Sequence, residues 1–456
     1  MKLNLSELSR ELNCEFDISL DKQIQSIKID SRKISEGDVF FAIKGESFDG
    51  HDFVQEAFNN GAIAAVIEKD IQIDDKICFK VENTIDSLQK VAKYYRSKFN
   101  IKVIGVTGSV GKSTVKEMVS SIFATEFKVT KSLGNLNGQI GLPLSIFNIS
   151  DETQIAVLEM GVSKIGEMDI LADIAKPDFA IVNNIGTSHI GNFGILENII
   201  KEKLKISSCS DCKLYVNGDS LYDYLKEKDD IIYFGLNSKF PYRAENVSSL
   251  KKETEFILST DSYKETIHIP CLGVHNVYNA LAAISLAADF GININDIKSG
   301  LLNYESLPMR QNIIKLKNFC VIDDSYNASF DSVKASIGLL KSLGSDGRNI
   351  AVLADILELG NYSREIHYNL GKFISSSLID ILITVGSDSL YINEGAESTN
   401  SDLKSVHFET NDEAFNYICD VVKDNDKILI KGSHAMCVNE IVDKLVDKYG
   451  LNDEKD

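Results

Sequence analysis

The chain lacks any hydrophobic run long enough to cross a membrane, and it lacks an excess of positive charge. Its most apolar run, over 280–288, is far shorter than the ~20 residues of a membrane span and is typical of a buried helix. The polar N-terminus lacks the apolar centre of a signal peptide. The 48 Lys and Arg residues against 67 Asp and Glu residues give a net charge of −19, which repels phosphate backbones and anionic membranes. We therefore expect a cytoplasmic protein with no membrane span and no nucleic-acid partner.

The chain also lacks the dense cysteine pattern of a disulfide-stapled protein. Its eight cysteines are scattered over 456 residues. Cys209 and Cys212 form one CxxC pair, but a structural zinc site would need two more ligands at a matching spacing, and none is evident. We predict free thiols in a reducing compartment.

Strand and helix patterns divide the chain into three α/β domains. At ~100–200 residues per domain, the length allows two to four. Residues 1–98 mix short strands with helices, including a helix over 51–61 and a buried strand over 62–68. Two more strands, over 24–34 and 37–45, are predicted on either side of a turn.

The other two domains alternate strands and helices, which is typical of a parallel sheet covered by helices. Residues 99–310 open with the apolar strand 101–108 and are predicted to form a central parallel sheet of the phosphate-loop ATPase type. Residues 311–456 are predicted to form a Rossmann-like, doubly wound domain. Segment 303–312 is the predicted hinge between these two domains.

A glycine-rich segment, GVTGSVGKST over 105–114, follows the first strand of the central domain and precedes a helix. Backbone N–H groups of such loops cradle phosphate oxygens, Lys112 supplies positive charge, and the Ser113 hydroxyl can ligate Mg²⁺. The strict pattern has glycine where this chain has Val106, so the match is to a shorter form. The predicted ATP contacts are Thr107, Gly108, Ser109, Val110, Gly111, Lys112, Ser113 and Thr114. A glycine-rich turn without a ligand is the alternative for this segment.

Four further segments of the central domain carry residues that could serve a polar, anionic ligand. Glu159 and His189 lie at predicted strand ends, where ligands collect in parallel sheets, and they could hold Mg²⁺ bridged to ATP. The Gly/Asn-rich loop 134–143 offers donors to a polar substrate, although a simple turn also accounts for it. Segment 199–206, IIKEKLKI, has three alternating lysines, and the default interpretation is a solvated helix face.

Together these motifs resemble the Mur ligase family, ATP-dependent enzymes that form amide bonds in peptidoglycan precursors. The similarity covers nearly the whole chain. Residues 29–53 resemble the uridine-nucleotide-binding module, and GSVGKS, EMG, SHIGNFG and LGVHNVYNALAA (272–283) resemble the central ATPase domain. DDSYNA (323–328), VLADILELG (352–360) and KGSHAM (431–436) resemble the C-terminal domain of the branch that adds D-alanyl-D-alanine.

The resemblance implies roles for the residues at matching positions. Lys203 matches a lysine that reacts with CO₂, and its carbamate would be a Mg²⁺ ligand. The implied catalytic and metal residues are Lys112, Ser113, Glu159, His189 and Lys203. The further implied ATP contacts are His275, Asn276, Asn279, Arg310 and Asp324. The implied UDP-sugar contacts are Ser31, Arg32, Gly45, Asp49, His51 and Asn137, and the implied amine contacts are Tyr326, Asn327 and His434.

The activity that the resemblance implies is an ATP-dependent, ADP-forming amide ligation. Its cofactors would be ATP, two Mg²⁺ ions and the CO₂-derived carbamate. Its partners would be UDP-N-acetylmuramoyl-tripeptide and D-alanyl-D-alanine, and the chain would act as a monomer. The γ-phosphoryl group would pass to the substrate carboxylate, and the amine would attack the acyl phosphate.

Five positions depart from the family pattern, namely Gly138, Ser329, Phe330, Ala354 and His434. The last four fall in segments that lie near the incoming amine in this family. A ligase that adds another amine to a nucleotide-linked precursor therefore stays an alternative. A nucleotide-dependent switch that does not ligate is another, and it differs in an assay because a ligase should release phosphate only when both acceptor and amine are present.

Overall fold

A computed structural model of the chain contains three sheets, each covered by helices, and the predicted three-domain α/β class is confirmed. The structure describes residues 1–45, 48–71, 73–209, 211–228, 230–250, 253–344, 346–400 and 402–452. No helix in these ranges combines the length and the apolar character that a membrane crossing requires. The predicted domain boundaries after residues 98 and 310 stay predictions.

The first sheet has four parallel strands in the order of the chain. They are β1 Ile27–Lys28, β2 Val39–Phe41, β3 Ala64–Ile67 and β4 Ile77–Lys80. The helices around them are α1 Leu5–Leu12, α2 Val54–Asn59 and α3 Thr84–Ser97. The predicted strand over 24–34 is much shorter than expected, because the Asp30 side chain accepts the Arg32 N–H and caps a 3₁₀ turn that ends the extended segment.

The central sheet has nine strands. They are β5 Lys102–Thr107, β6 Val129–Lys131, β7 Ile155–Glu159, β8 Phe179–Val182, β9 Lys213–Asn217, β10 Ile231–Gly235, β11 Tyr242–Ser249, β12 Thr254–Ser259 and β13 Lys264–Ile269. The strand order is β13-β12-β11-β10-β9-β8-β5-β7-β6. The helices are α4 Lys112–Phe123, α5 Gly141–Ile146, α6 Glu167–Ala175, α7 Ile190–Phe193, α8 Leu196–Leu204, α9 Gly218–Leu225, α10 Val274–Phe290 and α11 Ile294–Leu302.

The predicted parallel sheet is confirmed for strands β5 to β11, and it continues at one edge into antiparallel strands that were not predicted. Strands β11, β12 and β13 pair antiparallel, whereas the strands from β6 to β11 pair parallel. Buried and half-buried residues alternate along β12, because one face of this extension packs on the core and the other meets solvent.

The C-terminal sheet has six strands. They are β14 Asn312–Lys315, β15 Cys320–Asp323, β16 Asn349–Ala354, β17 Ile381–Val385, β18 Lys404–Phe408 and β19 Lys427–Lys431. Their order is β14-β15-β19-β16-β17-β18, with only β14 antiparallel among the described strands. The helices are α12 Phe330–Ser342, α13 Ser363–Ser375, α14 Leu390–Glu397, α15 Asn411–Val421 and α16 Asn439–Tyr449.

Helix α10 anchors the helix that follows the phosphate loop. It is buried along nearly its whole length, as expected for the apolar run over 280–288, and it packs against α4. Helix α11 also packs on α4, where Gly300 approaches the backbone of Ile122 so closely that a Cβ would lie 2.4 Å from the Ile122 Cα. Helix α4 is therefore held by the core rather than by loops.

Candidate active site

The phosphate-loop motif forms the tight connection between β5 and α4. Gly111 has a φ of +81°, and a Cβ there would lie 2.5 Å from Asn279 Oδ1 and 2.6 Å from Asn183 Nδ2, so only glycine fits. Asn184 Oδ1 accepts the N–H groups of Ser109 at 3.1 Å and Val110 at 2.8 Å. Asn183 and Asn184 directly follow β8, the neighbour of β5, and sequence reasoning did not select them.

Two lysines from different helices meet at one carbonyl oxygen of this loop. Lys112 Nζ donates to Gly108 O at 2.9 Å, and Lys203 Nζ donates to the same oxygen at 3.1 Å. Lys203 is only 1% exposed, so the default interpretation of its segment as a solvated face was wrong for this residue. Its neighbour Lys205 instead points outward and pairs with Asp169 at 2.6 Å.

Burial lowers the pKa of both amines at this carbonyl, and that of Lys203 the more strongly. Burial, and then the positive charge of Lys112, hold the pKa of Lys203 well below its usual value. Burial also lowers the pKa of Lys112, with a smaller opposing effect from the carboxylate of Glu159 and a further lowering by Arg310. A neutral Lys203 amine is a nucleophile, which an ordinary protonated lysine is not.

Glu159 presents a carboxylate oxygen that has no partner. The residue ends β7 and is 1% exposed. Its Oε1 accepts Asn137 Nδ2 at 2.7 Å, whereas its Oε2 is buried without a hydrogen-bond partner among the described residues. A buried carboxylate oxygen without a hydrogen bond destabilises the fold unless a cation binds it. This atom is therefore suited to ligate a hard cation such as Mg²⁺.

The remaining predicted metal residues are spread more widely. In the part of the chain that the structure describes, there is no group of three or more His, Cys, Asp or Glu side chains that could hold a metal ion. His189 is not at a strand end as predicted, since β8 ends at Val182 and His189 instead precedes α7 with a φ of +60°. Its Nδ1 makes a short hydrogen bond with Glu358 of the C-terminal domain, and this contact lowers the pKa of Glu358. Glu358 lies in the VLADILELG motif but was not selected from the sequence.

Arg310 joins the C-terminal side of the cleft to the phosphate loop. Its Nη2 donates to Ser113 Oγ at 3.0 Å, and its guanidinium lies 3.9 Å from the centre of the Tyr326 ring. The Tyr326 ring in turn lies 5.6 Å from the ring of His434. The contact places a C-terminal cation within reach of any nucleotide phosphate on the loop.

Asp324 follows β15 and is held by a buried lysine. Lys431 Nζ donates to Asp324 Oδ2 at 2.6 Å and to Asn327 O at 2.8 Å. Ser336 Oγ also donates to the same carboxylate oxygen. Lys431 ends β19, which pairs with β15, so only the sheet order brings it to Asp324. The KGSHAM motif contains Lys431, but its spacing does not indicate this contact.

The residues implied on the adenine side form a hydrogen-bonded row along α10. Asn279 Oδ1 accepts Asn183 Nδ2 at 2.7 Å, and Asn279 Nδ2 donates to Asn276 Oδ1 at 3.0 Å. His275 Nε2 lies 2.6 Å from Gln311 Oε1, and burial lowers the pKa of this histidine. The row connects the helix directly to the loop at Gly111.

One cleft of about 2550 Å³ contains most of these groups. Its walls include the loop residues 109–114, Asn135, residues 137–141, Glu159, His189 and Asn279 from the central domain, and Arg310, Asp324, Tyr326, Asn327 and Lys431 from the C-terminal side. Pockets for one small ligand typically measure ~300–1,000 Å³, so this cleft has room for more than one substrate.

The residues of the uridine motif lie outside this cleft, in the first domain. Both ring nitrogens of His51 are engaged there, Nδ1 with Asp49 at 2.6 Å and Nε2 with the Glu68 N–H at 2.8 Å. These bonds hold the loop that follows β2. The Arg32 side chain is 80% exposed and pairs only with the nearby Asp30 among described groups. Ser31 Oγ donates to Glu56 at 2.7 Å, and the Gly45 N–H donates to Phe48 O at 2.9 Å.

Three family models match the chain in succession. The model described as "Mur ligase family, catalytic domain" matches residues 23–108, and "Mur ligase middle domain" matches residues 106–287. The model described as "Mur ligase, glutamate ligase domain" matches residues 309–434. Each of the three sheets falls largely within one of these matches.

Characterised relatives match over nearly the whole length. The UDP-N-acetylmuramoyl-tripeptide–D-alanyl-D-alanine ligase of Bacillus subtilis is 36% identical over 430 residues, which cover 93% of each chain. The enzyme of the same name from Escherichia coli is 31% identical over 459 residues, covering 97% of this chain and 98% of the relative.

Solved structures agree with the fold. A crystal structure of MurF from Acinetobacter baumannii superposes with a TM-score of 0.87 at 30% identity, covering 96% of this chain and 98% of that one. MurF ligase from Thermotoga maritima in complex with ADP superposes with a TM-score of 0.80 at 29% identity, covering 95% of this chain and 100% of that one.

Proposed function

This chain belongs to the Mur ligase family, and we propose that it joins D-alanyl-D-alanine to UDP-N-acetylmuramoyl-tripeptide at the expense of ATP. The product is the pentapeptide precursor of peptidoglycan, with ADP and phosphate. The observation that carries the proposal is the single cleft in which the phosphate loop faces Arg310 and Asp324 across the domains. Relatives that carry this activity in their name match the chain over nearly its full length.

The reaction runs in two steps. The tripeptide carboxylate attacks the γ-phosphorus of ATP, ADP leaves, and an acyl phosphate forms. The neutral amine of D-alanyl-D-alanine then attacks the acyl carbon, phosphate leaves from the tetrahedral intermediate, and the amine loses a proton. Lys112 and the loop N–H groups stabilise the charge that develops on the phosphoryl oxygens.

Two Mg²⁺ ions are proposed to bind in the cleft, held by Glu159 Oε2, the Ser113 hydroxyl, His189 and a carbamate on Lys203. When bound, Mg²⁺ neutralises phosphate charge and orients the γ-phosphoryl group. The unpartnered Glu159 oxygen supports this assignment. The lowered pKa of Lys203 supports the carbamate, because only a neutral amine adds to CO₂ and releases a proton.

The C-terminal domain is proposed to clasp the nucleotide through Arg310 and Asp324. Both are already held on the cleft, Arg310 over the Tyr326 ring and Asp324 by Lys431. A closed cleft excludes water and so protects the acyl phosphate from hydrolysis. Tyr326, Asn327 and His434 are proposed to meet the amine. The chain is proposed to act as a monomer.

The first domain is proposed to bind the uridine nucleotide through Ser31, Arg32, Gly45, Asp49 and His51. The exposed Arg32 guanidinium is the one cation of this set, and it suits the diphosphate. Asp49 and His51 shape the loop through their mutual hydrogen bond. Asn137 stands apart from the set, since it lies on Glu159 at the cleft.

A substrate panel tests the function. The enzyme is given ATP, Mg²⁺, UDP-N-acetylmuramoyl-tripeptide and either D-alanyl-D-alanine, L-alanyl-L-alanine, other dipeptides or single amino acids, and products are identified by mass. We expect the highest kcat/KM with D-alanyl-D-alanine, and phosphate release only when carboxylate and amine are both present. A higher kcat/KM with another amine would replace the specific assignment with the alternative ligase. Phosphate release without any amine would point to a nucleotide switch.

A further inference from the structure

Lys116 is a completely buried lysine that the proposed reaction does not use. It lies in α4, one turn after Lys112, and its side chain is 0% exposed. A buried ammonium is strongly destabilising unless it is paired and hydrogen-bonded. Lys116 has two such partners: its Nζ donates to Ser132 O at 2.8 Å and pairs with Glu117 Oε1 at 3.0 Å.

Ser132 links this lysine to the carboxylate of the cleft. It directly follows β6 and is fully buried. Its N–H donates to Val157 O at 3.0 Å, and its Oγ accepts the N–H of Glu159 at 3.1 Å. The carbonyl of Ser132 thus accepts a hydrogen bond from the Lys116 ammonium, and the hydroxyl of Ser132 accepts one from the backbone N–H of Glu159. Helix α4 is thereby tied to the end of β7 through a single residue.

Neither Lys116 nor Ser132 lines the cleft. The ammonium of Lys116 therefore does not touch a substrate, and its effect on the reaction has to pass through other residues. Asn137 holds the other carboxylate oxygen of Glu159 at 2.7 Å from the opposite side. The carboxylate is thus fixed by its backbone and by one oxygen, which leaves Oε2 at a defined position.

We propose that Lys116 is a positioning residue that, through Ser132, holds Glu159 where its free carboxylate oxygen can ligate the divalent cation. The inference rests on the proposed function, which assigns the cation to Glu159. The inference adds Lys116 to the residues that hold Glu159 in position. Groups that orient metal ligands typically change metal affinity or activity by ~10–100-fold when they are removed.

The test measures cation binding rather than turnover alone. Mn²⁺ replaces Mg²⁺, and its Kd for the full-length enzyme with ADP bound is measured by electron paramagnetic resonance against an ADP-only blank. Lys116→Met removes the ammonium and keeps most of the buried volume, and Ser132→Ala removes only the hydroxyl that accepts the Glu159 N–H. We expect both to weaken Mn²⁺ binding by about 10- to 100-fold.

Lys131→Met is the matched control. Lys131 is half-exposed, ends β6 beside Ser132, and pairs with Glu117, but its ammonium has no bond to Ser132 in the described structure. A surface substitution of this kind should change the Mn²⁺ Kd by less than about twofold. Calorimetry of UDP-substrate binding should give the same Kd for all variants, because the first domain is not involved.

The outcomes separate the inference from the function. If wild type ligates and Glu159→Gln weakens Mn²⁺ binding, but Lys116→Met and Ser132→Ala bind Mn²⁺ like wild type, Lys116 is merely structural and the inference is overturned. Weakening by Lys116→Met alone overturns the route through Ser132. If Lys116→Met does not fold, an unchanged Mn²⁺ Kd in Ser132→Ala overturns the inference, because the route from Lys116 to Glu159 runs through Ser132. An unchanged Kd in Glu159→Gln would overturn the cation assignment itself.

Discussion

Replacing Lys203 with alanine should nearly abolish ligation while leaving the phosphate loop in place. The substitution removes the amine that would carry the carbamate, and Glu159 is then the only carboxylate left among the proposed cation ligands. Loss of one such electrostatic group typically costs ~3–4 kcal/mol, or about 10²–10³-fold in kcat. The loop should persist, because Lys112 Nζ still bonds Gly108 O at 2.9 Å after the 3.1 Å bond from Lys203 is gone.

The assay follows kcat with and without acetate, a small carboxylic acid. Acetate can occupy the space left by the side chain and offer its carboxylate to Mg²⁺. It should therefore restore part of the kcat of Lys203→Ala and leave the kcat of wild type unchanged. Lys201→Ala is the control, since Lys201 is an exposed lysine two residues earlier in α8. Removing dissolved CO₂ should lower the activity of wild type and leave the variant unchanged.

The lowered pKa of Lys203 predicts how the stability of the protein depends on pH. Between its lowered pKa and the ordinary 10.5, the unfolded chain binds a proton on this lysine that the folded chain does not. The free energy of unfolding of the carbamate-free enzyme should therefore rise with pH across that window, and Lys203→Ala should lose this contribution. A fully active Lys203→Ala enzyme, or one that acetate leaves unchanged, would refute the carbamate.

Three other substitutions test separate parts of the site. Lys112→Ala should reduce kcat by about 10²-fold or more with an unchanged circular dichroism spectrum, and near-normal turnover would contradict the phosphate loop. Arg32→Ala should raise the KM for the UDP-substrate but not for ATP, with the exposed Arg10→Ala as control, and an unchanged KM would remove Arg32 from the uridine site. Tyr362→Phe removes a hydroxyl that donates to Gly194 O of the central domain at 2.7 Å. Loss of this hydrogen bond should make domain closure less favourable by ~1 kcal/mol, about fivefold in the ratio of closed to open molecules measured by solution scattering, and an unchanged scattering profile would count against a role of this bond in closure.

Local signals predicted the strands that end at the cleft. The apolar strand before GSVGKS and the strand that ends at Glu159 both occur as expected, because buried parallel strands are read as continuous apolar runs. The antiparallel strands β11 to β13 were missed, since Tyr242–Ser249 mixes polar and apolar residues without a clear period. Their pairing depends on the neighbouring strand rather than on their own sequence.

The polar side chains that hold the site in place could not be predicted from the spacing of motifs. Asn184 reaches the loop because β8 pairs with β5, and Lys431 reaches Asp324 because β19 pairs with β15. In both cases the two partners lie at or just after the ends of separate strands, 75 and 107 residues apart in the chain. Sheet order creates such contacts, and a single sequence does not reveal which strands become neighbours.

The overall charge and the local charge of the protein have opposite signs, and distance decides which one a substrate meets. The net charge of −19 is carried by a surface whose field is screened beyond ~8 Å at physiological ionic strength. Buried cations are screened far less, and Lys112, Arg310 and Lys431 line the cleft. An anionic nucleotide in the cleft therefore meets positive charge, while a long phosphate backbone outside it meets repulsion. Carbamylation of Lys203 would add a negative charge beside the phosphate loop, where its amine now contacts Gly108 O, and would let one cleft hold ATP and Mg²⁺ together.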